Sequence, residues 1–441
     1  MSFIKSVSIL VMSFLGLFST ASAEILTSLE GQGLAFVSSD YENTQASSFG
    51  FFGATVKSYK SENDLFKINL TGMYAVGHPV LSYMNLREIY FSYEVDETSQ
   101  IHVGRKIHSW SDLDRRWHLG FFQPEFRWNS LNPETQGLTG LFWEKKTNQW
   151  GFTLFGSPLF IPDQGPGYEI KDGQFQSNNP WFQSPPQNVI FQGQSLPIDY
   201  NVNTPSMSEV LFQPSLGLQF KWGEREGFQF ALSSIYKPSH QLALGYKGVL
   251  VTDRVKIDVL PKTYYENLVN LDLSYRTDSM NFGLSTLYLK PQNPDFETNY
   301  NRPTIEESVT LQPFLDMKWN DSIGTQAAYF YRDKGQIAEV GPDADPRRLP
   351  LTGKTLYKSA YQLAVYYRET YFNKVRLKAA LTWLEAENKE IQMVKSENTF
   401  DLKGPWKFNF NFILIETNDQ ITSVSAYRNL DQVWLGAGYD F

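Results

Sequence analysis

The chain contains many segments in which apolar and polar residues alternate, and this pattern restricts the fold more than any other feature. The clearest segment covers residues 406–414, where Trp406, Phe408, Phe410, Phe412 and Leu414 alternate with Lys407, Asn409 and Asn411. Successive side chains of a β-strand point to opposite faces, whereas a helix gathers residues three and four apart. The segment therefore predicts a strand with one apolar and one polar face. Residues 66–76, 228–236 and 375–383 repeat the pattern.

These predicted strands come in pairs joined by short turns rich in Asp, Asn, Gly and Ser, as tight turns require. The predicted turns are 61–64, 96–99, 145–148, 223–226, 276–279, 320–322, 372–374 and 403–405. The connections between pairs are longer and more variable. Short turns at one end and long loops at the other are typical of outer-membrane barrels. We therefore predict an all-β fold, a transmembrane antiparallel up-and-down β-barrel of about 18 strands, with 16 to 20 also compatible.

A soluble β-sandwich or propeller is the rival fold, and charged residues on the polar faces argue against it. Lys67, Asp272, Arg376 and Lys378 lie at mid-strand on the polar face. A soluble core that buried this face without partners would cost several kcal/mol per charge, whereas a water-filled lumen avoids the cost. Residues 242–275 are ambiguous, because Pro261 interrupts what is either one long strand or a hairpin.

The N-terminus predicts export from the cytoplasm. Lys5 precedes an apolar run over residues 7–18, and the small residues 19–23 follow it. This order is typical of a secretory signal peptide, which we expect to be cleaved after Ala23. Residues 24–441 then form a single barrel domain. The chain has no cysteine, so disulfides and thiolate metal sites are excluded, and its net charge of -8 gives no electrostatic reason to expect nucleic acid.

The C-terminal strand, residues 433–441, ends on Phe441, and its alternate residues from Val433 to Phe441 form one apolar face. A terminal phenylalanine on such a strand resembles the recognition signal of Gram-negative outer-membrane β-barrels of the porin-like superfamily. The resemblance implies a cell outer-membrane location, contact with lipid and lipopolysaccharide, recognition of Phe441 by the barrel-assembly machinery, and a homotrimer as in general porins. We expect this last strand to pair with the first mature strand, near residues 26–38.

The first of two unusual loops covers residues 110–137 and is expected to be external. It resembles the pore-narrowing third loop of general porins in position and length only. Its charges either form a constriction or pair with one another and pin the loop to the wall. Arg105, just before this loop, falls on an apolar face, and Gly104 offers a bulge that would turn it to water or the lumen. The candidate pore residues are Arg105, Asp112, Asp114, Arg115, Arg116, His118, Arg376 and Lys378.

The second loop, residues 157–208, is also expected to be external and is rich in aromatic residues. Loops of this length tend to be lids, plugs or binding surfaces. Its candidate residues are Tyr168, Trp181 and Phe182. Three interpretations remain open: a plug against the inner wall, a platform that stacks on sugar rings, or a self-packed cluster that roofs the barrel.

The sequence favours a porin-like channel for passive diffusion of small hydrophilic solutes. The alternatives are a plugged, non-conducting structural or adhesion barrel and a carbohydrate-selective channel. No catalytic, metal or cofactor site is expected. In particular, His102 and His108 are six residues apart, which corresponds to about 20 Å along a strand at about 3.3 Å per residue. On that spacing the two histidines could not share one metal ion.

Overall fold

The computed structural model describes residues 25–37, 48–58, 65–297, 300–301, 305–334, 358–371, 375–386, 391–402, 404–417, 427 and 430–441. The predicted signal peptide, residues 1–23, lies outside this part of the chain. The described residues form an antiparallel 18-stranded sheet that closes on itself. This confirms the predicted fold class and strand number. No helix among the described residues is long and apolar enough to cross a membrane.

The barrel strands are numbered here in chain order. They are β1 (Ile25–Phe36), β2 (Ser48–Ser58), β3 (Phe66–Val76), β4 (Tyr83–Asp96), β5 (Ser99–Lys106), β6 (Leu138–Lys146), β7 (Trp150–Ser157), β8 (Ser215–Trp222), β9 (Gly227–Pro238), β10 (Tyr265–Arg276), β11 (Met280–Pro291), β12 (Ser308–Lys318), β13 (Ile323–Arg332), β14 (Ser359–Tyr371), β15 (Val375–Ala386), β16 (Ile391–Leu402), β17 (Trp406–Thr417) and β18 (Gln432–Asp440). Each strand pairs with its neighbours in sequence.

The barrel is closed by pairing of the last strand with the first. The β1–β18 register runs from Ser28 opposite Asp440 to Phe36 opposite Gln432. The Ser28 hydroxyl donates to the Asp440 carboxylate over 2.6 Å. Because β18 also pairs with β17, the described sheet has no free edge at the seam. The expected pairing of the C-terminal strand with the first mature strand is therefore confirmed.

The outer wall is apolar and the alternation predicted from the sequence sets its register. On β17, Trp406, Phe408 and Phe410 are exposed on the outside, while Lys407 and Asn409 face inward. On β18, Leu435 is 60% exposed on the outside, whereas Gln432 is fully buried on the inside. A closed antiparallel barrel with an apolar outer face satisfies its backbone internally and suits a bilayer. The protein is thus an outer-membrane-type transmembrane barrel.

The two ends of the barrel differ as the turn pattern predicts. All the predicted short turns fall between consecutive paired strands at one end, which we call the short-turn end. Residues 61–64 and 372–374 lie outside the described residues, but the strands beside them pair as hairpins. The long loops all leave the opposite, long-loop end. In barrels of this class the short turns face the periplasm and the long loops face outward.

Two long connections carry additional structure. The crossing loop (residues 107–137) contains helix α1 (Asp112–Trp117) and two short antiparallel strands, Glu125–Phe126 and Glu134–Thr135. The roof loop (residues 158–214) contributes strands to an external sheet, in which Gln194–Val202 runs parallel to Arg254–Lys262. The ambiguous residues 242–275 form an external hairpin followed by β10, and Pro261 lies in that hairpin opposite Leu244.

Candidate functional site

The inner wall of the barrel is apolar toward the long-loop end and polar toward the short-turn end. On β17 the inward residues change from Ile415 and Ile413 to Asn409 and Lys407 along this direction. On β13, buried Phe330 is followed toward the short-turn end by Gln326. The polar half can hold water, whereas the apolar half must be covered. The crossing loop supplies much of that cover.

The crossing loop leaves the wall at mid-height instead of at the rim. Strand β5 ends soon after Arg105, which pairs with Ile89, while its neighbour β4 continues to Tyr83. The turn into the lumen depends on Gly104, whose φ is +131° and where a Cβ would lie 2.3 Å from the Ile89 carbonyl oxygen. A side chain at that position would clash, so glycine is required.

Gly104 also redirects Arg105 from the outer face to the interior. The Arg105 guanidinium donates to the Gly137 carbonyl over 3.1 Å and to the Gln136 side chain over 2.7 Å. Arg105 is only 5% exposed. It therefore faces the interior, where it holds the two ends of the crossing loop together, and it does not line the cavity.

Helix α1 carries most of the candidate constriction charges and is fixed to the far wall. Ser111 caps the helix by accepting from the Asp114 backbone over 3.2 Å, and its hydroxyl donates to Asn270 of β10 over 2.8 Å. Arg116 donates to Asp112 over 2.9 Å and forms a two-pronged contact with Asp316 of β12, at 2.8 and 2.5 Å. This geometry corresponds to the interpretation in which the charges pin the loop to the wall.

The remaining candidate charges of the crossing loop have different environments. Arg115 is exposed and pairs with Asp112. Asp114 is buried, and its carboxylate accepts from the backbone amides of Phe121 and Phe122 over 2.9 and 2.8 Å, while burial raises its pKa. His118 ends α1 and keeps part of its surface exposed, and desolvation inside the barrel lowers its pKa. His118 is therefore neutral near pH 7 and contributes no charge there.

A second polar network joins the crossing loop to the roof loop. Arg127 contacts Asp163 over 3.1 Å, and the same aspartate accepts from the Glu125 backbone amide over 2.8 Å. The Glu125 carboxyl accepts from the Thr135 hydroxyl over 2.9 Å. Glu125 is 1% exposed, and its burial raises the pKa to about 8. The two loops are thus held together by buried polar contacts.

Contacts with three separate parts of the wall show that the crossing loop spans the lumen. Trp117 packs on Phe330 of β13 with ring centroids 5.4 Å apart. Asn132 accepts from Lys395 of β16 over 2.6 Å. Asn129 donates to Gln432 of β18 over 3.2 Å. The loop resembles a constriction in that it leaves only part of the lumen free.

Among the described residues, a cavity of about 400 Å³ lies between the crossing loop and the wall formed by β1–β4 and β16–β18. It extends from Lys57 and Asp440 near the short-turn end to Trp128 and Trp434 deeper in the barrel. Arg376 and Lys378, the other candidate pore residues, also face inward near the short-turn end. Lys378 lies 3.6 Å from Asp401. They are placed near the entrance and not in the cavity lining.

The aromatic residues of the roof loop divide into two groups. Tyr168 and Phe182 stack on each other outside the barrel, 5.3 Å apart, as a self-packed cluster. Trp181 instead enters the barrel, where it is 1% exposed and packs 4.8 Å from Trp128 and 6.2 Å from Trp434. Trp181 therefore packs behind the two tryptophans at the deep end of the cavity and has no exposed ring face.

The expected separation of His102 and His108 is wrong. Both rings contact the carboxylate of Glu144, over 3.4 and 3.1 Å. The estimate assumed a continuous strand, but β5 ends at Lys106 and the chain turns inward before His108. Among the described residues, no group of three His, Cys, Asp or Glu side chains could hold a metal ion.

Several residues of the site have no individual signal in the sequence. The partners Glu144, Asp163 and Asp316 are single acidic residues on distant segments. Trp434 does have a signal in the sequence, because it is an aromatic residue on the otherwise polar face of the last strand. That departure from the alternation could have placed it inside the barrel.

Comparisons with known proteins give a weak likeness to outer-membrane proteins. No protein-family model matches the chain, and no curated protein matches its sequence. Among solved structures, OpdL of Pseudomonas aeruginosa is 10% identical with a TM-score of 0.46, over 95% of this chain and 99% of that one. OccAB3 of Acinetobacter baumannii is 9% identical with a TM-score of 0.45, over the same shares. The assignment of the fold rests on the strand pairing itself.

Proposed function

We propose that the protein is a porin-like outer-membrane channel through which small hydrophilic solutes diffuse. The observation that carries the proposal is the charged and polar cavity, about 400 Å³ in volume, beside a loop that spans the lumen. A barrel of this strand number is wide enough to enclose an aqueous channel. Side chains on the inner wall and on the crossing loop would then set the size and charge of the solutes.

The partners follow from the same proposal. The apolar outer wall would contact lipid and, at the long-loop end, lipopolysaccharide. Phe441 is 68% exposed at the end of β18, where the barrel-assembly machinery could read it. A homotrimer remains part of the proposal by resemblance to general porins.

A plugged, non-conducting barrel is the second candidate, and one observation favours it. Trp181 packs on Trp128 and Trp434 at the deep end of the cavity, so the described residues close this path toward the long-loop end. Under the channel proposal the roof loop must move or the solute must pass beside it. The two functions therefore predict different effects of removing the roof loop on the single-channel current.

Single-channel recording in a planar bilayer separates the two functions. The purified protein and a variant lacking residues 157–208 are compared in potassium chloride. The channel proposal expects openings with the intact protein. Openings with the deletion variant alone support the plugged barrel, and no openings with either protein contradict the channel proposal.

A further inference from the structure

The cavity lining combines three kinds of surface that occur together where proteins bind sugars. These are paired charges, unpaired side-chain amides and an aromatic ceiling. We propose that the cavity binds an uncharged polyhydroxylated solute, a mono- or disaccharide. The proposal rests on the channel function and names its substrate class.

The charges in the cavity largely neutralise one another. Lys395 lies 3.1 Å from Glu397, Arg87 lies 3.6 Å from Glu134, and Lys407 pairs with Asp440. The two remaining lining charges are of opposite sign, Glu30 and Lys57, and neither forms an ion pair among the described residues. The lining therefore has no net charge. An ionic solute would have to lose hydration without gaining a surplus of opposite charge, whereas an uncharged solute avoids this cost.

Side-chain amides supply the hydrogen-bonding groups that hydroxyl-rich molecules need. Asn69 and Asn409 line the cavity, and the Asn69 Oδ1 is buried without a hydrogen-bond partner among the described residues. An amide offers both donors and acceptors, as does each sugar hydroxyl. Thr71 on β3 adds a hydroxyl and Gln32 on β1 adds a further amide to the lining.

The deep end of the cavity is aromatic. Trp434 is partly exposed to the cavity, and Tyr83 and Trp128 pack beside it with their ring centroids 4.6 Å apart. Aromatic surface suits the apolar C–H groups of a pyranose. The volume of about 400 Å³ limits the solute to one or two sugar rings. The sugar platform is thus assigned to the lumen, where Trp434 faces the cavity, and not to Trp181 of the roof loop, which is buried.

Titration with maltose tests the proposal in two independent measurements. The first is reversible block of the single-channel current by millimolar maltose, compared with sodium succinate and glycine. The second is intrinsic tryptophan fluorescence of the detergent-solubilised protein, which needs no conduction. We expect maltose to block the current and change the fluorescence, with the succinate dianion and the glycine zwitterion at least tenfold weaker.

Two variants locate the site, and a third is the control. Trp434→Ala and Asn409→Ala should each raise the half-saturating maltose concentration at least tenfold. Trp222→Ala should leave it unchanged, because Trp222 is 49% exposed on the outer wall. A current that is insensitive to maltose, with no fluorescence change, would overturn the sugar proposal and leave the channel intact. Fluorescence binding without conduction would support the site and contradict the channel.

Discussion

The ion pair between Arg116 and Asp316 attaches the crossing loop to the far wall. Its side chains are 8% and 20% exposed, and Arg116 also contacts Asp112. Arg116→Ala leaves Asp316 without its cationic partner, whereas Asp112 keeps its contact with Arg115. Breaking a buried ion pair costs about 3 to 5 kcal/mol, and partial exposure of Asp316 reduces this to roughly 2 to 3 kcal/mol.

That loss shifts the equilibrium between docked and undocked α1 by roughly 30- to 150-fold, at 1.4 kcal/mol per tenfold. We expect a larger single-channel conductance and more open-channel noise for Arg116→Ala. Arg115→Ala is the matched control, because Arg115 is the exposed neighbour that contacts only Asp112 on the same helix. Unchanged conductance and noise in a folded Arg116→Ala barrel, judged by its heat-dependent electrophoretic mobility, would refute the pinning argument.

Three further predictions concern the roof, the loop network and the buried wall. Trp181→Ala removes ring contacts with Trp128 and Trp434, at a cost of about 3 to 5 kcal/mol, and should raise the frequency of openings, whereas Phe182→Ala in the external cluster should not. The pKa of Glu125, about 8, exceeds its unfolded value, so the contribution of Glu125 to stability is complete below pH 4.5 and is lost as the pH rises through 8. Glu125→Gln should therefore reduce the pH dependence of the thermal unfolding temperature. An unchanged pH profile in this variant would contradict the prediction. Lys237→Met removes one partner of a fully buried 2.8 Å pair with Glu266 and should destabilise the barrel by about 3 to 5 kcal/mol, which Glu266→Leu should largely restore if the pair acts as described.

The fold could be predicted from the sequence because each strand carries its own signal. Alternation of Phe408 and Phe410 with Asn409 sets the faces of β17, and the short polar turns set the strand order. A one-residue shift in register would place Lys407 in lipid, so the alternation specifies the register of the strand. The pairing of Phe441's strand with β1 follows from closure.

The arrangement of the lumen could not be predicted to the same extent. Arg116 meets Asp316, 200 positions away in the sequence, and nothing local marks either residue as a partner. The predicted distance between His102 and His108 was wrong for a related reason, because the prediction assumed a straight strand where the chain bends inward. Contacts between a loop and a distant wall depend on tertiary geometry, which the periodicity of strands does not encode.

The proposed channel function requires solutes to pass through the cavity beside the crossing loop. The chain has no cysteine, so a single introduced thiol can be modified without background. Asn409→Cys places the thiol in the cavity, and Phe410→Cys places it next in sequence on the outer wall. We predict that a charged thiosulfonate reagent lowers the single-channel current of Asn409→Cys and leaves that of Phe410→Cys unchanged. Modification of Asn409→Cys, verified by mass, with no change in current would contradict the claim.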